Sequence, residues 1–187
     1  VSGARDEIEV KARVPDVKAF EAALLRAGAT VEFTGEMTDH RFDRKKRLAG
    51  RDEMLRLRVY RPESGPARGE LCWKGPVETQ GEYRHRPEVE FAVGDPWNAL
   101  ELLVRLGFAE TQRIERLVTV FRLGEATLRM ERYPEMDVLV EVEGDPAGIE
   151  RAIGATGLPR EAFLPESLPY FVSQYEERTG RSARLAT

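Results

Sequence analysis

Two carboxylates and an ammonium stand two residues apart in Glu7-Ile8-Glu9-Val10-Lys11. Alternating charged and apolar residues predict a β-strand, with Glu7, Glu9, Lys11 and Arg13 on one face and Ile8, Val10, Ala12 and Val14 on the other. Oxygen ligands beside a cation suit a divalent metal and an anion, and also an ordinary solvated strand face. The pattern recurs in Glu88-Val89-Glu90-Phe91 and in Glu141-Val142-Glu143. With Glu131, these carboxylates form an all-oxygen donor set without His or Cys, which favours Mg2+, Mn2+ or Ca2+ over zinc. Lys11, Arg56, Arg58, Lys74, Arg86, Arg116 and Arg129 oppose them. Arg grips phosphate oxygens through a planar fork and Lys acts as a point charge, so a polyphosphate bridged by metal to the carboxylates satisfies both sets. The competing reading is a structural network of ion pairs. Burying so many ions without a ligand would be costly.

These residues need strands to hold them. Period-two alternation predicts strands near 6–14, 29–34, 38–43, 53–61, 69–74, 86–93, 108–123, 126–132 and 137–143, the longest either bending or dividing. Amphipathic spacing with Asp, Pro and Gly punctuation predicts helices over 16–27, 96–106, 146–154 and 167–178. Turns fall at 61–69 and 75–82, and 179–187 reads as a frayed tail. Each Glu-x-Glu strand runs into an Asp-capped helix. This echo fits a duplicated half, and it also fits the general preference of strand-to-helix turns for these residues.

Most of the strands carry one apolar and one charged face. An antiparallel sheet with a wet charged face would satisfy this. The helices favour a second arrangement, because their apolar sides must cover something apolar. The expectation is therefore α+β: an antiparallel β-barrel with a charged interior and helices packed outside.

The chain has 187 residues, 41% hydrophobic and 33% charged, with net charge −4. The length suits one domain, assigned to 1–178. The charged fraction exceeds the usual share of about 25%, and charge-lined strands house the excess. An acidic balance argues against a nucleic-acid coat, and no apolar run is long enough for a membrane helix. A single cysteine, Cys72, and no signal-peptide pattern at the start given lead to a cytoplasmic expectation. Cys72 reads as a small buried residue, and His40 and His85 as surface or structural residues.

Taken in order, the motifs resemble the CYTH family, the triphosphate tunnel metalloenzymes, over about 6–175. Glu7-Ile8-Glu9-Val10-Lys11 stands at that family's Glu-x-Glu-x-Lys motif. Asp39-His40-Arg41-Phe42-Asp43 is similar to its Asp-x-Tyr-Phe-Asp segment, with Arg41 where Tyr is usual. Leu55-Arg56-Leu57-Arg58, Leu71-Cys72-Trp73-Lys74-Gly75-Pro76, Arg86-Pro87-Glu88-Val89-Glu90 and Val140-Glu141-Val142-Glu143 match further strands. Leu106-Gly107-Phe108 and Arg116 resemble the approach to a Lys-x-Arg motif, and Tyr170 a late Ser-Tyr segment. Two departures stand out: Val118 replaces the Arg of Lys-x-Arg, and Glu131 replaces a common Asp.

The resemblance implies an antiparallel eight-stranded β-barrel, a triphosphate tunnel using Mg2+ or Mn2+. Carried over by position, Glu7, Glu9, Glu131, Glu141 and Glu143 would hold metal. Lys11, Arg56, Arg58, Lys74 and Arg116 would hold phosphate, with Arg129 or Arg113 standing in for the cation missing at Val118. Arg86, Glu88 and Glu90 would serve a network or the metal. A second metal, or a carboxylate such as Glu131 or Glu143, would orient the attacking water, with Lys11 on the substrate. The expected activity is metal-dependent hydrolysis of inorganic triphosphate or a related organic triphosphate such as thiamine triphosphate. A class IV adenylyl cyclase, a non-catalytic polyphosphate- or nucleotide-binding module and a structural β-domain are the rivals. The expected partner is a small triphosphate, with a homodimer as a candidate assembly and neither nucleic acid nor membrane.

Overall fold

A computed structural model describes residues 5–80 and 82–187; residues 1–4 of the expected domain and Gly81 of the expected 75–82 turn lie outside them. Strand β1 (Arg5–Arg13) leads to helix α1 (Val17–Arg26), then to β2 (Thr30–Asp43), β3 (Met54–Pro62), β4 (Arg68–Lys74) and a short β5 (Glu78–Gln80). The second part repeats this order: β6 (Tyr83–Val93), α2 (Pro96–Arg105), β7 (Ala109–Leu123), β8 (Ala126–Arg132) and β9 (Leu139–Glu143). Helices α3 (Pro146–Thr156) and α4 (Leu168–Thr179) follow.

All strands pair antiparallel in one sheet, in the order β1-β9-β8-β7-β2-β3-β4-β6-β5. A further pairing of β1 with β6 closes the sheet, and β5 hangs on β6 alone. The result is the expected eight-stranded barrel. Closure follows from patterning. The outward residues Val10, Ala12, Leu128, Met130, Val140 and Val142 are buried under Phe20 and Leu24 of α1 and Ile149, Ala152 and Ile153 of α3. Leu103 of α2 covers Phe42, Leu57 and Val59. Helices α1, α2 and α3 each bury an apolar stripe of the outer strand faces, and in doing so turn the charged faces inward. Among the described residues no helix is long and apolar enough to cross a membrane.

The duplicated-half expectation has a structural counterpart. Exchanging β1 with β6, α1 with α2, β2 with β7, β3 with β8 and β4 with β9 leaves the strand order around the barrel unchanged. The register repeats as well. Asp39 opposite Arg58 becomes Val118 opposite Glu131, and Arg41 opposite Arg56 becomes Val120 opposite Arg129. Lys74 opposite Glu88 becomes Glu143 opposite Glu9. The N-caps agree closely: Asp16 lies at φ −125°, ψ 98° and Asp95 at φ −126°, ψ 97°, each accepting from backbone N–H groups of the first turn. A pseudo-twofold thus passes between β1 and β6 and between β2 and β7, exchanging the two tunnel ends. The third Glu-x-Glu strand, β9, is not a third repeat; it is the counterpart of β4.

Four details differ from the sequence reading. The strands expected at 29–34 and 38–43 are one strand, β2, because its partner β7 spans its whole length and the pair absorbs irregularity through register shifts near Val31 and Arg41. By the same pairing 108–123 is undivided. The 75–82 turn contains β5. Residues 179–187 are tied down: the Glu115 N–H donates to the Leu185 carbonyl at 2.6 Å, and Glu135 and Arg184 exchange backbone bonds. Glycine is required at Gly35, where a Cβ would lie 2.3 Å from the Arg61 carbonyl oxygen of the neighbouring strand.

Phe20 is 2% exposed at the junction of α1, α3 and the barrel wall. Phe20→Ala should therefore cost about 3–5 kcal/mol in urea denaturation. A loss below about 1 kcal/mol would contradict this packing.

Candidate functional site

The inward-facing residues divide between two cavities that share Arg56 and Arg58 in their walls. One, of about 190 Å³, is lined by Lys11, Arg41, Arg56, Arg58, Lys74, Arg84, Arg86 and Arg116 against Glu9, Asp39, Glu131 and Glu141, and the start of α4 closes over it at Ser167, Leu168 and Pro169. The other, of about 750 Å³, is lined by Arg56, Arg58 and Arg129 against Glu7, Glu70, Glu88, Glu90 and Glu143, with Tyr60 and Phe91. Positive charge is in excess in the first and negative charge in the second.

The pseudo-twofold explains how one backbone yields this polarity. Lys11 has Glu90 as its counterpart, Lys74 has Glu143, Arg58 has Glu131 and Arg41 has Val120. Glu7 and Arg86 face each other at the axis, as do Met37 and Arg116. Similar strands thus carry opposite charges at the two ends.

Carboxylate oxygens of Glu7, Glu9 and Glu141 lie within 4.8 Å of one another. Lys74 donates to both oxygens of Glu7, and Lys11 and Arg129 each donate to Glu141. Arg84 reaches Glu9 at 3.2 Å. Burial, followed by repulsion from Glu141, pushes Glu9 up to about 7, with Lys11 opposing. Glu141 stays well below the usual carboxylate range because Lys11 and Arg129 outweigh its burial. Three converging carboxylate oxygens, one of them raised by burial and by its acidic neighbour, fit a hard divalent cation.

Asp39 organises a second group. Burial opposes its charge, but Arg116 and Arg58 hold it well below the usual range. Arg58 binds it through Nε and Nη2 at 2.7 and 3.1 Å, and Arg116 Nη2 at 2.8 Å. Arg116 Nε donates to Glu131 Oε1 at 2.8 Å, while the Tyr133 hydroxyl donates to Glu131 Oε2 at 2.6 Å. Both Glu131 oxygens are thereby engaged, and Glu131 stands apart from the converging carboxylates. Arg86 is fixed by the Gly75 and Asp52 carbonyls at 2.6 and 2.7 Å.

Arg56 is different. Its Nη2 lies 3.6–3.9 Å from Glu70, Glu88 and Glu90, and its buried Nε has no partner. Cys72, Glu88 and Glu90 form a second convergent group, in which the Cys72 thiol donates to Glu88 at 2.7 Å. Burial and the Glu70 carboxylate push Glu90 up to about 8. Against burial, Lys74 and Cys72 bring Glu88 down to about 2. Glu143, also in the acidic cavity, is raised by burial.

Every predicted site residue except Arg113 lines the tunnel. Val118 also faces inward, but it packs with Met37 and Tyr60 in an apolar cluster. Its pseudo-twofold counterpart is Asp39. Arg113, the other proposed stand-in for that cation, is half exposed and paired with Glu110. Sequence reasoning missed Asp39 as the hub, Tyr133, Arg84 and Arg41. A usable signal existed in alternation: Asp39 and Arg41 share the face of Met37 on β2, and Tyr133 follows Glu131 by two.

A CYTH domain model matches residues 5–147. The chain belongs to the CYTH domain family. No curated protein matches it in sequence. Among solved structures, the PH1012 protein of Pyrococcus horikoshii aligns with TM-score 0.69 at 23% identity, covering 88% of this chain and 98% of that one. A Vibrio parahaemolyticus protein proposed as an adenylate cyclase aligns with TM-score 0.75 at 19% identity, covering 91% and 99%. A cyclase-like protein from Hippeastrum with a dominant triphosphatase activity aligns with TM-score 0.62 at 18% identity, covering 96% and 98%. At these identities the likeness concerns the fold. The CYTH family contains triphosphatases and class IV adenylyl cyclase-like proteins, is metal-dependent and binds triphosphates.

The raised carboxylates give a pH dependence. Glu9 and Glu90 hold protons more tightly folded than unfolded, so the folded state carries extra protons between the ordinary carboxylate pKa and about 7 and 8 respectively. Stability therefore falls as pH rises through that window. In metal-free protein Tm should decline from about pH 5 to about pH 8.5, and Glu90→Gln should flatten part of the decline. A Tm that rises over this interval would contradict the assignment.

Proposed function

We propose that the protein hydrolyses a small triphosphate in the tunnel with the help of Mg2+ or Mn2+. The observation that carries this reading is the cation-lined cavity with Glu9 and Glu141 in its wall, on which Glu7 converges from the wall of the acidic cavity. A cavity of about 190 Å³ surrounded by Lys11, Arg41, Arg56, Lys74 and Arg84 calls for a compact polyanion. Glu7, Glu9 and Glu141 would hold the divalent ion. When bound, it supplies positive charge to the phosphoryl oxygens and relieves the repulsion among the three carboxylates.

The remaining work falls to the chain's own groups. Lys11 and Lys74, displaced from Glu141 and Glu7, turn their ammonium groups to phosphate oxygens. Arg56 contributes a guanidinium with unused donors. Arg58 and Arg116 are anchored by Asp39 and Glu131, so they present their remaining N–H groups in fixed directions, a preorganisation that stabilises developing phosphoryl charge. Glu143 sits in the acidic cavity with a pKa raised by burial. A carboxylate raised in this way is a stronger base, suited to take the proton of an attacking water. Glu131 contributes by holding Arg116.

The neighbour with dominant triphosphatase activity supports placing hydrolysis ahead of cyclisation. The test is incubation with Mg2+ or Mn2+ and tripolyphosphate, thiamine triphosphate or ATP, following orthophosphate, pyrophosphate and cyclic AMP. Orthophosphate release is expected, and Glu143→Gln should lower kcat by about 100-fold or more with little change in KM. Cyclic AMP with pyrophosphate would replace this reading with the cyclase, and binding without turnover would replace it with a binding module.

A further inference from the structure

The cation-rich end contains a charge that neither the family pattern nor the ion-pair network accounts for. Arg41 lies on β2 directly opposite Arg56 on β3, and both line the 190 Å³ cavity. Its Nη1 donates to Gln112 Oε1 at 2.8 Å, a neutral acceptor. Its Nε is buried without a partner. Among the described residues it forms no ion pair, whereas Lys11, Arg58, Lys74, Arg84 and Arg116 all do. Burial, together with Arg56, Arg116 and Arg58, pushes Arg41 down to about 10, with Asp39 alone pulling the other way. An uncompensated cation in such a place is unfavourable in the empty protein.

The barrel does not require it. The pseudo-twofold counterpart of Arg41 is Val120, which occupies the equivalent register opposite Arg129. The same repeat shows where charge is missing: Val118 is apolar where the resemblance has an arginine, and it packs among Met37 and Tyr60. One inward cation is lost towards the acidic end, and one is present towards the end closed by α4.

We propose that Arg41 is a phosphate-binding residue of this tunnel, paired with Arg56, and that it shifts the anion site toward the α4 end in place of a cation at Val118. The inference rests on the triphosphate reading above and adds a residue that sets where the polyanion sits. Gln112 holds Nη1 and orients the guanidinium, leaving Nε and Nη2 for phosphate oxygens.

Calorimetric titration of tripolyphosphate into metal-free protein tests this without turnover. Arg41→Gln should weaken binding about 10- to 100-fold, the scale of one charge-assisted contact. Arg41→Lys should recover most of the loss as a point charge. Arg105→Gln, which removes an exposed charge on α2, should stay within about 2-fold of wild type. The Tm of ligand-free Arg41→Gln should equal or exceed that of wild type, because a half-buried cation without an ion-pair partner has gone. Wild-type binding with Arg41→Gln within about 2-fold of it would overturn the role of Arg41 and leave the triphosphate reading standing. Weakened binding with a lowered Tm would make Arg41 structural and overturn it too. No binding by wild type would remove the triphosphate reading and this inference together.

Discussion

A buried charge must find a partner or change its protonation, and the interior of this barrel is built around that requirement. Asp39 is the clearest case. It is 2% exposed, yet it remains ionised because Arg58 and Arg116 both bind it. Arg116 in turn fixes Glu131, and Tyr133 completes the chain. Every member depends on its neighbours, so the group behaves as one rigid frame across β2, β3, β7 and β8. Such a frame presents arginine N–H groups in set directions without reorganisation when a polyanion arrives.

The other half of the interior is less settled. Glu9 and Glu90 are raised toward neutrality, chiefly by burial and then by the neighbouring carboxylates Glu141 and Glu70. Arg56 and Arg41 are short of acceptors. The two features are complementary: in the proposed function a divalent ion would sit among the carboxylates and a polyphosphate would meet the guanidinium groups. The pseudo-twofold shows how a repeated backbone reached this state. Replacing Lys11 by Glu90, Lys74 by Glu143 and Arg58 by Glu131 across the axis inverts charge while the register is preserved. The tunnel is therefore polar along its length although its strands are nearly symmetric.

The barrel was legible because it is written in period two. Leu55-Arg56-Leu57-Arg58 and its counterparts announce one apolar and one charged face, and the Asp16 and Asp95 caps mark where covering helices begin. The inward direction of Glu7, Glu9, Lys11 and Arg56 follows from those faces. Pairing was not legible, because it depends on which strands become neighbours. Nothing in β2 alone says that Asp39 will meet Arg58 and Arg116, or that Glu131 will be held by Tyr133 away from Glu7, Glu9 and Glu141. The continuity of β2 was hidden for the same reason: Gly35 looks like a break, and only the close approach of Arg61 shows why a glycine is needed inside a long strand. Val118 read as a lost phosphate contact, whereas in the barrel it is the apolar counterpart of Asp39.

A divalent ion and a triphosphate sharing the cation-rich end of this tunnel would be seen in a crystal structure with Mn2+ and a non-hydrolysable triphosphate, with the metal located by its anomalous signal. A manganese peak is expected among Glu7, Glu9 and Glu141, with phosphate density reaching Arg56 and Lys11. A manganese peak confined to Cys72, Glu88 and Glu90, or a triphosphate bound only outside the barrel, would contradict this arrangement.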